Sequence, residues 1–232
     1  MASGRGRSSV DDVEELSLLR KGAEASLYLA SWHGRKVVMK KRLPKRYRPR
    51  ELDERIRGYR TIHESQLMHA AKQAGVPTPV ILLVDVKEAT IIMQYVEGKQ
   101  LKQLLGEAAR NARCRLCQTV GKLIGNLHAA GIVHGDLTTS NMILSSAGRI
   151  FFVDFGLAER TAELEARGVD LHLMKRVMCS THFAVADQCF RDTMEGYASV
   201  VGERATEDVL AKIGEIEKRG RYVTGRRLQA ER

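Results

Sequence analysis

The first hundred residues combine short apolar runs with one long helical pattern. Residues 37–39 are rich in β-branched side chains, as in a strand. Residues 51–74 carry helical spacing and are followed by Gly75, a residue that commonly ends a helix. Two further apolar runs, 80–86 and 90–96, are separated by three residues and predict a β-hairpin. This part of the chain is therefore predicted to form a small sheet with one helix.

Beyond Gly98 the apolar pattern becomes mainly helical. Leu116, Val120, Leu123 and Leu127 are spaced by four, three and four residues, as on the core-facing side of a helix. Short apolar runs that flank polar loops follow, and then further helical spacing up to about residue 218. The chain is predicted to be α+β, with a flexible tail at 1–13, an N-terminal lobe at 14–97, a C-terminal lobe at 98–218 and a basic tail at 219–232.

Length and composition exclude several classes of protein. The chain has 232 residues, of which 44% are hydrophobic, enough for one core or two small ones. No apolar run approaches the roughly 18 residues of a membrane-spanning helix, and residues 1–9 lack the apolar stretch of a secretory signal. Four cysteines are too few for a disulfide scaffold. The protein is expected to stay inside the cell.

The net charge of +10 is concentrated in two segments. Residues 35–60 contain twelve basic and three acidic residues, and residues 218–232 contain six basic residues and one acidic residue. Such clusters favour a polyanionic partner, such as nucleic acid or a phosphorylated ligand. A solvated basic surface is the alternative.

The strongest chemical signal is the stretch from His134 to Asn141, followed by Asp154-Phe155-Gly156. Asp136 precedes Asn141 by five residues, and Asp154 follows Asn141 by thirteen. In phosphoryl transfer an aspartate in this position accepts the proton of the attacking hydroxyl, and the asparagine and the second aspartate hold Mg²⁺. We therefore predict that Asp136 is the catalytic base and that Asn141 and Asp154 are the metal ligands.

A phosphate-binding lysine is expected upstream of these motifs. The sequence Val37-Val38-Met39-Lys40 resembles the V-A-I-K strand of protein kinases, so Lys40 is predicted to contact the nucleotide phosphates and to pair with Glu64 on the following helix. A register shifted by one would select Lys41 instead. Backbone groups of the linker between the lobes are predicted to bind the adenine edge, and its residues are Met93, Gln94, Tyr95 and Val96.

Three features depart from the usual kinase pattern. The phosphate-covering loop has one glycine in place of the three in G-x-G-x-x-G, and its residues are Gly22, Ala23, Glu24 and Ala25. Glu24 adds a negative charge there, so it is expected to pair with a basic group or to join the metal shell. Gly135 replaces the arginine that would bind a phosphorylated activation loop. Only eleven residues separate Gly156 from Gly168, too few for a long activation segment.

These motifs, together with residues 40–48, 60–64, 168–171, 180–182 and 219–221, resemble the atypical small kinase of the KEOPS/EKC complex. The resemblance covers about residues 19–221. It implies a minimal two-lobed kinase fold that binds ATP and Mg²⁺, acts largely as an ATPase and can phosphorylate Ser and Thr, including its own. It also implies residence in nucleus and cytoplasm.

The same resemblance implies several partners. The C-terminal lobe would dock on the enzyme that makes threonylcarbamoyladenosine in tRNA, and the N-terminal lobe would dock on a small regulatory subunit. Together with the charge clusters, it predicts a tRNA contact through Lys45, Arg46, Arg48, Arg219, Arg221, Arg226 and Arg227. For the segment 42–50, local packing around the nucleotide or around the helix that carries Glu64 is the alternative.

Two other functions remain open from the sequence. A small-molecule kinase of the aminoglycoside or choline type also has His-Gly-Asp followed by Asn. Such kinases usually add a larger helical substrate domain, for which the roughly 76 residues after Gly156 leave little room. A non-catalytic tRNA-binding scaffold would explain the basic segments, but it would leave Lys40, Asp136, Asn141 and Asp154 unexplained as a set.

Overall fold

In the computed structural model, the described part of the chain comprises Val10 and residues 12–230, with side chains described up to Arg219 except at residue 15. Its contacts divide it into two units. The first contains the described residues up to Gln66 together with Pro79–Val96, and the second contains Leu67–Thr78 and everything from Glu97 onward. Both predicted lobes are continuous in sequence, whereas Leu67–Thr78 groups with the second unit.

The first unit contains a five-stranded antiparallel sheet in the order β1-β2-β3-β5-β4. The predicted hairpin is confirmed as β4 paired with β5. The first strand begins at Val13, inside the predicted N-terminal tail, whose remaining positions lie largely outside the described residues. The strands are β1 Val13–Lys21, β2 Ala25–Trp32, β3 Arg35–Arg42, β4 Ile81–Asp85 and β5 Thr90–Gln94.

Strand β3 separates an apolar face of the sheet from a charged one. Val37 and Met39 are buried in one cluster with Ala30 and Ile92. Because side chains alternate along a strand, Lys40 lies on the opposite face. There it meets the long helix α1, Arg50–Gln73, which confirms the helix predicted for residues 51–74.

The second unit is mainly helical, as predicted. Its helices are α2 Leu101–Leu104, α3 Arg110–Ala129, α4 Leu164–Thr181, α5 Ala186–Val201 and α6 Glu203–Ala230. Its short strands are β6 Gly98–Gln100, β7 Ile132–Val133, β8 Met142–Ser145, β9 Ile150–Phe152 and β10 Glu159–Arg160. The backbone of α6 is helical as far as Ala230, so residues 219–230 of the predicted basic tail continue this helix.

Helices α3 and α5 approach closely because two glycines leave room for the opposite backbone. A Cβ on Gly121 would lie 1.8 Å from the carbonyl oxygen of Thr193, and a Cβ on Gly196 would lie 2.0 Å from that of Gln118. This packing brings Tyr197 of α5 to His128 of α3. Among the described residues, no helix has the length and apolar character needed to cross a membrane.

Candidate active site

Lys40 and Lys41 are neighbours on β3 but lie in different environments. Lys40 Nζ donates a 2.6 Å hydrogen bond to Glu64 Oε1 on α1, and 7% of its side chain is exposed. Lys41 Nζ lies 3.1 Å from Glu88 Oε2, and 36% of its side chain is exposed. The structure therefore brings together Lys40 and Glu64. Their contact with a nucleotide stays a prediction.

Glu64 has a second cationic partner, which the sequence analysis missed. Arg42 Nη2 lies 2.5 Å from Glu64 Oε2, and both side chains are almost completely buried. Arg42 follows Lys40 by two residues, so the two side chains share one face of β3. That spacing was the available signal, and packing of residues 42–50 around the helix that carries Glu64 was one of the alternatives left open.

The predicted phosphate-covering loop is the tight connection between β1 and β2. The amide of Gly22 donates a 2.9 Å hydrogen bond to the carbonyl of Ala25, and Lys45 Nζ donates to the carbonyl of Ala23. Glu24 is paired with Arg60 of α1. The hydrogen bond from Arg60 lowers the pKa of Glu24 and outweighs the opposing effect of burial. Glu24 is therefore ionised near neutral pH, and the structure gives it Arg60 as a partner.

Much of the predicted tRNA-binding segment near α1 is engaged locally. The amide of Lys45 donates to Asp53 Oδ1 at 3.3 Å, and Arg48 Nη1 lies 3.6 Å from the same oxygen. Arg57 Nε donates to Asp53 Oδ2 at 2.7 Å. Arg46, in contrast, is exposed. The local alternative is thus favoured for Lys45 and Arg48.

The predicted adenine-binding linker begins inside the sheet. Met93 and Gln94 belong to β5. The amide of Gln94 donates to the carbonyl of Val80 at 2.8 Å, and its side-chain oxygen accepts from the amide of Val80. The Gln94 N–H is therefore engaged within the first unit, and contact of the linker's other backbone groups with a nucleotide stays a prediction. Tyr95, which follows β5, contacts Lys36 through its ring face, with Nζ 4.2 Å from the centroid.

In the second unit, Asp136 and Asn141 are joined directly. Asn141 Nδ2 donates to the backbone carbonyl of Asp136 at 3.0 Å and to its Oδ2 at 2.8 Å. Asn141 lies at the end of a 3₁₀ turn, Thr139–Asn141, and is 4% exposed. Because the amide nitrogen is used in these two bonds, Asn141 offers Oδ1 as its acceptor to other groups.

The His134 ring holds the backbone of Asp136 through a hydrogen bond. Its Nε2 lies 3.2 Å from the carbonyl of Val153, and its Nδ1 lies 3.3 Å from the amide of Asp136. A carbonyl can only accept and an amide can only donate, so Nε2 carries the proton and Nδ1 accepts. Burial lowers the pKa of His134, in spite of the neighbouring carboxylates, and this favours the neutral ring that the contacts require.

The buried carboxylate of Asp170 holds the backbone of the same loop. Asp170 Oδ2 accepts from the amide of His134 at 2.6 Å, and Oδ1 accepts from the amide of Gly135 at 2.9 Å. Its Oδ2 also lies 3.3 Å from His128 Nε2, and His128 Nδ1 lies 3.1 Å from the Tyr197 hydroxyl. Asp170 belongs to a motif that carried the resemblance, but the sequence analysis gave it no role.

Gly135 is required by the close approach of a neighbouring segment. It has φ of 74°, in the left-handed region that favours glycine. A Cβ at this position would lie 2.1 Å from the carbonyl oxygen of Leu157. The arginine that usually stands here could not be accommodated without moving the loop or Leu157.

Asp154 also has an unusual backbone, with φ of 64°. Side chains other than glycine rarely adopt this region, and such positions are maintained where the surrounding structure holds them. The next residue, Phe155, is fully buried, and its ring centroid lies 4.7 Å from that of His134. These contacts anchor the segment that carries the Asp154 carboxylate.

Asn141 and Asp154 fit the chemistry of a magnesium site. Mg²⁺ prefers oxygen ligands and commonly takes one or two protein ligands together with phosphates and water. Asn141 can offer only its amide oxygen to a cation, because its nitrogen is bound to Asp136. Within the described residues there is no group of three or more His, Cys, Asp or Glu that could hold a metal. Binding of a cation by Asn141 and Asp154 stays a prediction.

Comparison with known proteins agrees with this arrangement. Residues 13–198 match the protein kinase domain. The chain is 46% identical over 213 residues to the KEOPS complex subunit Bud32 of Pyrococcus abyssi, which covers 89% of this chain and 96% of that protein. It is 41% identical over 187 residues to a probable serine/threonine-protein kinase BUD32 homolog of Archaeoglobus fulgidus, covering 81% of this chain and 89% of that protein.

A longer relative shares the same region. The chain is 42% identical over 205 residues to a probable bifunctional tRNA threonylcarbamoyladenosine biosynthesis protein of Methanothermobacter thermautotrophicus. The match covers 88% of this chain but only 36% of that protein. This chain therefore spans about a third of the bifunctional relative.

The chain thus belongs to the protein kinase family and, within it, to the Bud32 group. The predicted α+β kinase-like fold and the resemblance are confirmed. Protein kinases transfer the terminal phosphoryl group of ATP with the help of divalent metal ions. The relatives named here come from archaea, so the predicted nuclear residence has no support from them.

Proposed function

We propose that this protein is an ATP- and Mg²⁺-dependent phosphotransferase that acts mainly as an ATPase and supports threonylcarbamoyladenosine formation in tRNA within a KEOPS-type complex. The observation that carries the phosphoryl-transfer part is the double hydrogen bond from Asn141 to Asp136, which fixes both side chains on one loop. The tRNA part rests on the names of the Bud32 and bifunctional relatives.

Asp136 provides the proton acceptor in this proposal. One of its carboxylate oxygens accepts from Asn141, so the other is the acceptor for the proton of an attacking hydroxyl. As that hydroxyl oxygen bonds to the γ-phosphorus, its proton passes to Asp136, the bond to the bridging oxygen breaks and ADP leaves. Water as the nucleophile gives ATP hydrolysis, and a Ser or Thr hydroxyl gives protein phosphorylation.

The remaining predicted residues bind and orient the nucleotide. Asn141 Oδ1 and the Asp154 carboxylate would hold Mg²⁺, which neutralises phosphate charge when it is bound. Lys40, held by Glu64, would contact the phosphates. The loop of residues 22–25 would cover the phosphates, and backbone groups of the linker residues Met93, Gln94, Tyr95 and Val96 would bind the adenine edge.

The partner assignments extend the same proposal. The second unit would dock on the tRNA-threonylcarbamoyl-transferring subunit, and the first unit on a small regulatory subunit. The exposed Arg46 and the basic end of α6 would contact tRNA, because exposed cations release counterions from phosphates when they bind nucleic acid. Arg221, Arg226 and Arg227 lie outside the residues with described side chains. Arg219 Nη2 lies 2.6 Å from Glu165 Oε1 of α4.

Deletion of residues 221–232 tests the tRNA contact and retains the pair between Arg219 and Glu165. The truncated chain should bind Mg-ATP as the full chain does, but it should bind tRNA more weakly and with a flatter salt dependence. Arg46→Gln in the full chain tests the other proposed tRNA contact and should also weaken tRNA binding without affecting Mg-ATP binding. An unchanged affinity and an unchanged salt slope after the deletion would exclude a tRNA contact through the end of α6.

Nucleotide titration separates the proposal from the non-catalytic scaffold. The wild-type chain should bind ATP much more tightly with Mg²⁺ than without it. The Asp154→Asn variant should lose that dependence, and asparagine tolerates the left-handed backbone at this position. Equal affinity with and without Mg²⁺ would favour the scaffold.

Turnover assays separate the remaining alternatives. ATP hydrolysis should be slow for the chain alone and should rise when the tRNA-modifying partner and tRNA are added together. Stimulation by an aminoglycoside or choline, with the phosphate ester of its hydroxyl group as the product, would instead identify a small-molecule kinase. No response to the partner and tRNA would contradict the role in tRNA modification.

A further inference from the structure

Glu64 is shared by two cations, and the function proposed above uses only one of them. We propose that Arg42 is a positioning residue that holds the Glu64 carboxylate, so that Lys40 stays directed toward the nucleotide phosphates. The inference rests on the proposed binding of Mg-ATP. It concerns residues within the first unit alone.

Arg42 is fixed at both its backbone and its side chain. Its amide donates to the carbonyl of Ala89 at 3.0 Å, and its carbonyl accepts from Arg57 Nη1 at 3.4 Å. Its guanidinium bonds Glu64 Oε2 through Nη2 and lies 3.4 Å from Thr61 Oγ1 through Nη1. Arg42 therefore contacts two positions one helical turn apart on α1 from a backbone that cannot shift easily.

The two cations occupy different oxygens of Glu64, which separates their roles. Lys40 bonds Oε1 and Arg42 bonds Oε2, and the three side chains are between 1% and 7% exposed. A buried carboxylate that loses its partner is strongly destabilising. When Lys40 turns part of its hydrogen bonding toward phosphates, Glu64 still has Arg42 as its partner. Arg42 thus keeps the buried carboxylate paired during that exchange.

The arginine side chain suits this role better than lysine. Its planar guanidinium presents several donors in a rigid fork and stays charged at all relevant pH values. One fork can hold Glu64 through Nη2 and Thr61 through Nη1, whereas an ammonium group carries all its donors on a single nitrogen. These contacts of Arg42 hold α1 against β3, and they involve no phosphorylated residue.

A double-mutant cycle between Arg42 and Lys40 tests the proposal. Mg-ADP affinity is measured for the full-length wild-type chain, Arg42→Met, Lys40→Met and the double variant, with Lys41→Met as a control on the opposite face of β3. We expect Arg42→Met to weaken Mg-ADP binding about ten-fold in the wild-type background and less than about two-fold in the Lys40→Met background. Adenosine, which has no phosphates, should bind wild type and Arg42→Met equally.

Two results would overturn the positioning role of Arg42. An equal loss in both backgrounds, or an equal loss for adenosine and Mg-ADP, would show that Arg42 serves only the fold and would overturn the proposal. Arg42→Lys keeps the charge and should recover part of the affinity, and it replaces Arg42→Met in the cycle if that variant does not fold. Wild type that binds no Mg-ADP would instead contradict the proposed function.

Discussion

The two units hold their predicted functional groups by different means. In the first unit, the contacts join one side chain to another, because Lys40 and Arg42 of β3 both donate hydrogen bonds to Glu64 of α1. In the second, side chains position backbone: Asp170 accepts hydrogen bonds from the amides of His134 and Gly135. The comparison indicates that changes in the first unit should affect single contacts, whereas changes in the second should affect the whole loop that carries Asp136.

The largest effect should come from Asp170→Asn, which tests the loop support directly. The new amide group can accept through only one atom, so one of the two backbone amides faces a donor in a buried site. We expect a loss of about 3 kcal/mol in the free energy of unfolding and at least about a hundred-fold loss of ATP turnover. Chemical denaturation and turnover assays measure the two effects.

Asp208→Asn is the matched control, because Asp208 is exposed on α6. It should change neither quantity measurably. If Asp170→Asn behaved like Asp208→Asn, the second unit would not depend on this carboxylate, and the contrast between the units would be lost.

A smaller effect is expected from Gly135→Ala, with Gly148→Ala for comparison. Both glycines have φ near 75°, but a Cβ at Gly148 would meet nothing within 4 Å, whereas one at Gly135 would overlap the carbonyl of Leu157. Gly148→Ala should cost about 1 kcal/mol of folding free energy, and Gly135→Ala about 2 kcal/mol together with a partial loss of turnover. Equal costs would mean that Leu157 moves away freely.

The pH dependence of stability offers a more subtle probe of the second unit. Burial, assisted by the positive charge of Lys102, lowers the pKa of His182 below 6.5, and its Nε2 lies 3.4 Å from Thr139 Oγ1. The unfolded chain then binds the proton more readily, so this contribution is complete above about pH 6.5 and is lost as the pH falls below that value.

His182→Gln should therefore reduce the loss of unfolding free energy between about pH 7.5 and about pH 5.5. Urea unfolding at several pH values measures it. A variant whose stability falls as steeply as that of wild type would show that His182 does not contribute.

The smallest effect is expected from removing phosphate groups. Gly135 occupies the position of the arginine that usually binds a phosphorylated activation loop. Arg42 holds α1 against β3 through Glu64, and this contact needs no phosphate group. Phosphatase treatment should therefore leave ATP turnover nearly unchanged, as measured before and after treatment on the same preparation. A large loss of turnover would indicate a phosphorylation switch in either unit.

The secondary structure and the motif residues could be predicted from the sequence more readily than the residues that hold those motif residues in place. The resemblance to V-A-I-K selected Lys40 over Lys41, and strand alternation placed the two side chains on opposite faces of β3. Arg42 could not be separated from the surrounding basic residues, since its burial depends on Glu64, 22 positions away. The role of Asp170 depends on partners 35 and 36 positions away, and no local pattern indicates such a contact.

The contrast also explains why the basic segments were hard to interpret. A count of charges does not distinguish an exposed arginine such as Arg46 from one that pairs with a buried carboxylate, such as Arg57 with Asp53. The helical backbone up to Ala230 was missed because polar residues with several arginines and Gly220 and Gly225 provide little apolar spacing.

The most direct test of the central claim is ATP turnover by the Asp136→Asn variant, measured together with its affinity for Mg-ATP. Asparagine keeps the size of the side chain and an oxygen for Asn141, but it cannot take up the proton of the attacking hydroxyl. The account predicts that Mg-ATP affinity stays within about two-fold of wild type while turnover falls by at least about a hundred-fold. Turnover equal to that of wild type, with the nucleotide bound, would contradict it.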